Sequence, residues 1–135
     1  MGPRSGVDKK RLLREFPLFS GIAADHLADL ERGAHTLTFQ RGQTIYMAGS
    51  PARQIYIVLS GQVKLALASQ RGNEKVLDVI EPGRSFGEPE FFGGQRYLAA
   101  ALAVKPSQVL SLSGVHVRRA MKSDPRIAVR FIRVL

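Results

Sequence analysis

Few residues in this 135-residue chain stand at spacings that could do covalent chemistry. Gly83-Arg84-Ser85-Phe86-Gly87 fits G-x-S-x-G, the elbow that exposes a nucleophilic serine between an incoming strand and an outgoing helix. Here a Pro82-Gly83 turn comes first, and the surroundings lack alternating strand–helix units. The segment therefore reads as a turn-rich strand end, and no catalytic residue is assigned. His26, His35 and His116 stand singly, none at a metal-ligand spacing, and read as surface or packed residues; no metal site is assigned. A haem takes only one or two protein ligands, so spacing leaves haem open. The absence of cysteine excludes a disulfide scaffold, thiolate zinc sites and a Cys-ligated iron–sulfur cluster. Met47 and Met121 read as core fillers. No H-E-x-x-H, P-loop or dinucleotide fingerprint occurs, and the clustered His and carboxylate ligands of a cupin-type enzyme are missing. The chain reads as a non-enzyme.

The elements around these residues follow from periodicity and turn chemistry. Residues 8–19 predict a short basic helix ending near Pro17. Residues 23–32 predict a second, with Ile22, Leu27 and Leu30 on one face and Gly33 as a left-handed stop. From Ala34 the apolar period becomes two. Short segments around Leu37 and Phe39, Ile45 and Met47, residues 54–59, 63–68 and 75–80 are separated by glycine-bearing turns. After a glycine-rich interruption at 87–97, strands are predicted at 98–104 and 109–113. Strands punctuated every 8–12 residues mean an antiparallel sandwich or barrel. A short helix at 115–122 follows. Ser123-Asp124-Pro125 then supplies a capping residue and a first-turn proline for a final helix. Ile127, Phe131 and Leu135 form its apolar stripe, flanked by Ile132. No C-cap follows Leu135, so this helix reads as cut short and the chain as part of a longer protein.

Charge is uneven: +4 over residues 1–14, +5 over 115–135, and neutral between. Basic ends suit phosphate or nucleic acid, but no aromatic residues interleave as a stacking platform needs. Solvated helix faces are the plainer reading. Apolar runs reach about seven residues, short of the ~20 of a spanning helix, and no signal-peptide core is present. No membrane association and a soluble, cytoplasmic protein are expected.

Residues 83–104, beginning Gly83-Arg84-Ser85-Phe86-Gly87-Glu88, resemble a cyclic-nucleotide-binding domain, specifically the sensor half of Crp/Fnr-family transcription regulators. The likeness includes Leu18-Phe19, Phe39-x-x-Gly42, Tyr56 through Lys64, Glu81-Pro82-Gly83 and the helix after Pro125. It implies a mainly β fold with flanking helices: an eight-stranded double-stranded β-helix (jelly roll) followed by the start of a long dimerisation helix. On that reading residues 1–33 are N-terminal helices and 34–113 the sensing jelly roll. Residues 114–135 are a short helix and a truncated dimerisation helix, the DNA-binding helix-turn-helix domain being absent. It further implies a homodimer through Ile127, Phe131, Ile132 and Leu135, a small-molecule effector, and DNA contact only through a domain outside this chain. A module regulating an attached enzyme or channel is the rival reading.

In the family's nucleotide binders, amides after Phe-Gly-Glu and an arginine hold the cyclic phosphate, while the glutamate accepts from the ribose hydroxyl. Gly87 and Glu88 stand at matching positions. Leu98, however, falls where the arginine belongs, and Ala99, followed by Ala100, where a serine or threonine is usual. Arg96 lies two residues early, an offset that keeps it on the same strand face if the strand extends that far. The plainer role for Glu88 is to cap the short helix or to pair with Arg96. This pattern is more similar to the dissimilative-nitrate-respiration branch, thought to sense nitric oxide with haem. The effector stays open between cyclic nucleotide, haem and another small molecule.

Overall fold

A computed structural model describes residues 8–69 and 71–134. Two antiparallel four-stranded sheets form the centre, with strand orders β1-β8-β3-β6 and β2-β7-β4-β5. Their strands are β1 (Ala34–Phe39), β2 (Thr44–Tyr46), β3 (Gln54–Ser60), β4 (Val63–Ala68), β5 (Glu74–Ile80), β6 (Ser85–Phe86), β7 (Ala100–Ala103) and β8 (Ser107–Ser113). Neighbours that are distant in sequence, such as β1 with β8 and β4 with β7, close the jelly roll. Helices α1 (Lys9–Glu15), α2 (Ala24–Arg32), α4 (Gly114–Ser123) and α5 (Pro125–Val134) bring the two chain ends together on one side, and α3 (Glu88–Phe92) interrupts the roll.

β3 and β8 are covered on both faces, so residues 55–59 of β3 form an unbroken apolar run and β8 buries Ser111 among Val109, Leu110 and Leu112. Ile55, Ile57, Leu110 and Leu112 point to the helices, whereas Tyr56, Val58 and Val109 point between the sheets. Two cores result. The helical one adds Leu13, Phe19, Leu30, Val117, Ile127 and Phe131; the inter-sheet one adds Tyr46, Val63, Ile80, Phe86 and Tyr97. Asp29 ties α2 to α4 by accepting from Arg119 at 2.7 Å and lying 3.3 Å from His116 Nδ1. Burial alone would raise the Asp29 carboxyl, but hydrogen bonds from Arg32, Arg119 and His116 outweigh it and hold the pKa below the usual range. Other basic residues of the chain ends are similarly engaged: Lys9 donates to Ala34 O and Arg118 lies 4.5 Å over the Phe91 ring.

Several sequence expectations need correction. The first helix stops at Glu15, because the residue before a proline is driven out of the helical region; Phe16 is extended and Pro17–Phe19 forms a 3₁₀ turn. Gly33 is not left-handed, having φ −98. Glycine is required there for another reason: a Cβ would collide with the His116 ring. The strand expected from residue 98 begins at Ala100, after a bend. Met47 is 67% exposed and fills no core, whereas Met121 packs on the helical cluster.

The largest correction concerns the C-terminal stripe. Ile127 and Phe131 are at most 1% exposed within this single chain, where Phe131 packs edge-on to Phe19 and 4.8 Å from Phe92. Phe19 and Phe92 lie 112 and 39 residues before Phe131 in sequence, beyond the reach of a periodicity argument, so the stripe finds its cover at home rather than on a second copy. Ile132 is 70% exposed on another face, and Leu135 lies outside the described residues. Asp124 caps α5 as expected, its side chain accepting from the Arg126 N–H at 3.1 Å.

Candidate effector-binding site

The cassette between β6 and β7 positions the candidate site. Gly87 has φ 89, a left-handed turn from strand into α3. A Cβ there would press on the Tyr97 ring at 3.3 Å and Gln54 O at 3.4 Å, so glycine is needed for both conformation and space. Pro89 at the first turn of α3 fixes the outgoing helix. This geometry drives Glu88 inward, leaving it 6% exposed. Its Oε2 accepts from Ser85 Oγ at 2.7 Å. Burial pushes the Glu88 carboxyl above its usual range, with the Ser85 hydrogen bond opposing.

A cavity of about 380 Å³ opens beside Glu88, within the size range of small-molecule sites. Phe16, Pro17 and Leu18 close it from one side, and Leu65, Ile80 and Phe86 form its apolar floor. Asp78, Arg84, Ser85, Glu88 and Glu90 supply the polar walls. Arg84 is already occupied, reaching Asp78 Oδ2 at 3.3 Å and Val79 O at 3.1 Å. Glu90 accepts from the Leu98 N–H at 3.2 Å. Behind Phe86 stands an aromatic stack: Tyr46 lies 3.6 Å from Tyr97, and Tyr56 lies 5.2 Å from Phe86. Tyr97 and Tyr56 both donate to Gln54 at 2.7 Å. Burial pushes Tyr46, Tyr56 and Tyr97 up, with Glu90 adding to the effect on Tyr46 and Tyr97.

Of the site residues expected from sequence, Gly87 and Glu88 line this cavity, and Arg96, Leu98, Ala99 and Ala100 are not among its walls. Arg96 forms a single bridge with Pro51 and donates to Gly49 O at 2.8 Å, so it neither pairs with Glu88 nor lies on a strand continuous with β7. Leu98 is 68% exposed at the bend, Ala99 is buried and Ala100 starts β7. Sequence reasoning missed Arg84, Asp78, Glu90 and the segment 16–18. Only the proline at 17 signalled that the chain would turn back over the roll. For haem, one of the effectors left open, this cavity has no histidine or methionine among its described walls. No group of three His, Asp or Glu able to hold a metal occurs among the described residues.

The fold is thus a jelly roll whose cassette lines a half-open cavity. The family model for the cyclic nucleotide-binding domain matches residues 36–124, and the chain belongs to that family. It is 27% identical over 124 residues to the CRP-like cAMP-activated global transcriptional regulator of Mycobacterium tuberculosis, covering 92% of this chain and 55% of the relative. The global nitrogen regulator of Nostoc sp. is 30% identical over 100 residues, covering 73% and 45%. Among solved structures, the sensor domain of the transcriptional regulator DNR from Pseudomonas aeruginosa superposes with a TM-score of 0.83 at 27% identity. That match covers 92% of this chain and 83% of the neighbour. The chain spans about half the length of the curated relatives it matches. No helix among the described residues is long and apolar enough to cross a membrane.

Proposed function

We propose that this chain is the effector-sensing part of a Crp/Fnr-type transcription regulator acting in the cytoplasm. A small molecule enters the cavity beside Glu88 and shifts α5 between two settings. Through α5 it orients a DNA-binding domain outside this chain. One observation carries the reading: the segment that closes the cavity is also the segment that holds α5. Phe16, Pro17 and Leu18 wall the cavity. Arg130 on α5 donates to Leu18 O at 3.3 Å and Ser20 O at 2.6 Å, and Arg126 donates to Gly21 O. A molecule that presses on the wall therefore changes the acceptors that fix the helix. A ligand shifts such an equilibrium only by its differential affinity for the two settings. Homodimerisation is proposed through the exposed Ile132 and Val129, with a second copy as the partner, in place of the buried Ile127 and Phe131.

Filling the cavity tests this without knowing the ligand. Because the chain has no cysteine, labels at Lys105→Cys and Ile132→Cys, in protein diluted with excess unlabelled chain so that distances between copies do not contribute, report one separation. Both positions are exposed. Leu65→Trp is expected to displace the 16–18 segment and shift the label-to-label distance distribution. An unshifted distribution in a folded Leu65→Trp protein would overturn the coupling.

A further inference from the structure

The cavity's charges point to the kind of molecule it accepts, and this inference rests on the cavity being the effector site. Three carboxylates, Asp78, Glu88 and Glu90, face it against one guanidinium. That guanidinium, Arg84, is spent on Asp78 and the Val79 carbonyl. The remaining carboxylates are placed differently. Glu88 is buried and takes its proton donor from Ser85. Glu90 reaches across from α3 to the bend at Leu98 and accepts that residue's backbone N–H. The amide of the bend thus already carries an anion, and the anion comes from the protein itself.

We propose that the Glu90 carboxylate fills the anion position of this cassette, so that the cavity takes an apolar molecule bearing a hydrogen-bond donor and no negative charge. A phosphate reaching the bend would have to displace Glu90 from Leu98 N–H, and one inside the cavity would lie near Glu88 with no free cation among the described walls to meet it. A hydroxyl or protonated amine meets acceptors instead, the carboxylates of Glu88 and Glu90, in a pocket lined also by Leu65, Ile80 and Phe86. Glu90 is on this account a specificity-determining residue. Installing an arginine at Leu98 does not by itself create a phosphate site, because the new guanidinium would be neutralised by Glu90.

The experiment is calorimetry on four proteins: wild type, Glu90→Gln, Leu98→Arg with Ala99→Ser, and the triple combination. Probes are cyclic AMP and the size-matched pair 2-phenylethylamine and phenylacetate, with thermal melts confirming that each variant folds. Wild type is expected to prefer the amine over the carboxylate by at least about 10-fold, the scale of one charge-assisted hydrogen bond, and Glu90→Gln to remove most of that preference. Cyclic AMP should bind the triple variant about 10- to 100-fold more tightly than the double variant that retains Glu90. Sub-micromolar cyclic AMP binding by wild type, or an amine preference unchanged in Glu90→Gln, would overturn the proposal and leave the effector cavity intact. Absence of measurable binding by every probe to every variant at millimolar concentration would overturn the effector cavity as well.

Discussion

The two faces of the β3–β8 sheet are built to different specifications. On the helical side Leu13, Phe19, Ile127 and Phe131 are at most 1% exposed and interlock from both ends of the chain. On the other side the roll borders the cavity beside Glu88, and the β4–β5 hairpin leaves Val76, Leu77 and Val79 exposed. Close packing makes a region bistable or rigid, whereas few buried contacts leave room for rearrangement. The helical side is therefore the more tightly sealed of the two, and on the proposed function the cavity side carries the response. They meet at residues 16–20, which belong to both.

The largest effect should come from the sealed side. Phe131→Ala removes a ring wedged between Phe19 and Phe92 and is expected to lower unfolding free energy by about 3–5 kcal/mol. Leu77→Ala on the open side should change it by less than about 0.5 kcal/mol. Chemical denaturation of both variants checks the contrast, and equal losses would break it.

A smaller effect distinguishes the cavity wall. Because burial raises the Glu88 pKa in the folded state, the folded chain holds that proton more tightly than the unfolded chain does. Stability linked to Glu88 is thus full below the unfolded carboxyl value and is lost as pH rises through the raised folded one. Glu88→Gln keeps an acceptor for Ser85 without the charge, so its melting temperature should exceed that of wild type at neutral pH. The gap should close on acidification toward the usual glutamate range. Asp124 on the sealed side behaves oppositely. The Arg126 hydrogen bond holds it down at about 2, so its contribution is present above the ordinary aspartate value and fades as pH falls toward 2.

The smallest change in single-chain stability is expected at Ile132→Asp, within about 0.5 kcal/mol, since the side chain is 70% exposed. The same substitution should weaken self-association in sedimentation. Strong self-association that ignores it would place the dimer contact elsewhere.

Much of this contrast was legible in the residues. Glycine-bearing turns marked the strands, the Phe86-Gly87-Glu88 segment marked the cassette, and Ser123-Asp124-Pro125 marked the start of α5. What escaped depended on contacts between distant segments. The period of the α5 stripe was readable, but not that Phe19 and Phe92 would cover it. Strand parity put Arg96 beside the position of Leu98, yet a hydrogen bond to Gly49 turns it outward and the strand starts only at Ala100. Arg84 read as a turn residue until the fold laid it along β5.

The coupling between the two sides is tested most directly by hydrogen exchange in wild type and Arg130→Ala. Losing the Arg130 donors to Leu18 O and Ser20 O should free the segment that both sides share. Amides of residues 18–22 and of α3 are expected to exchange at least about 10-fold faster, since two charged hydrogen bonds are lost, while β1 and β8 keep wild-type protection. Faster exchange confined to α5, or spread evenly over the whole chain, would contradict the account.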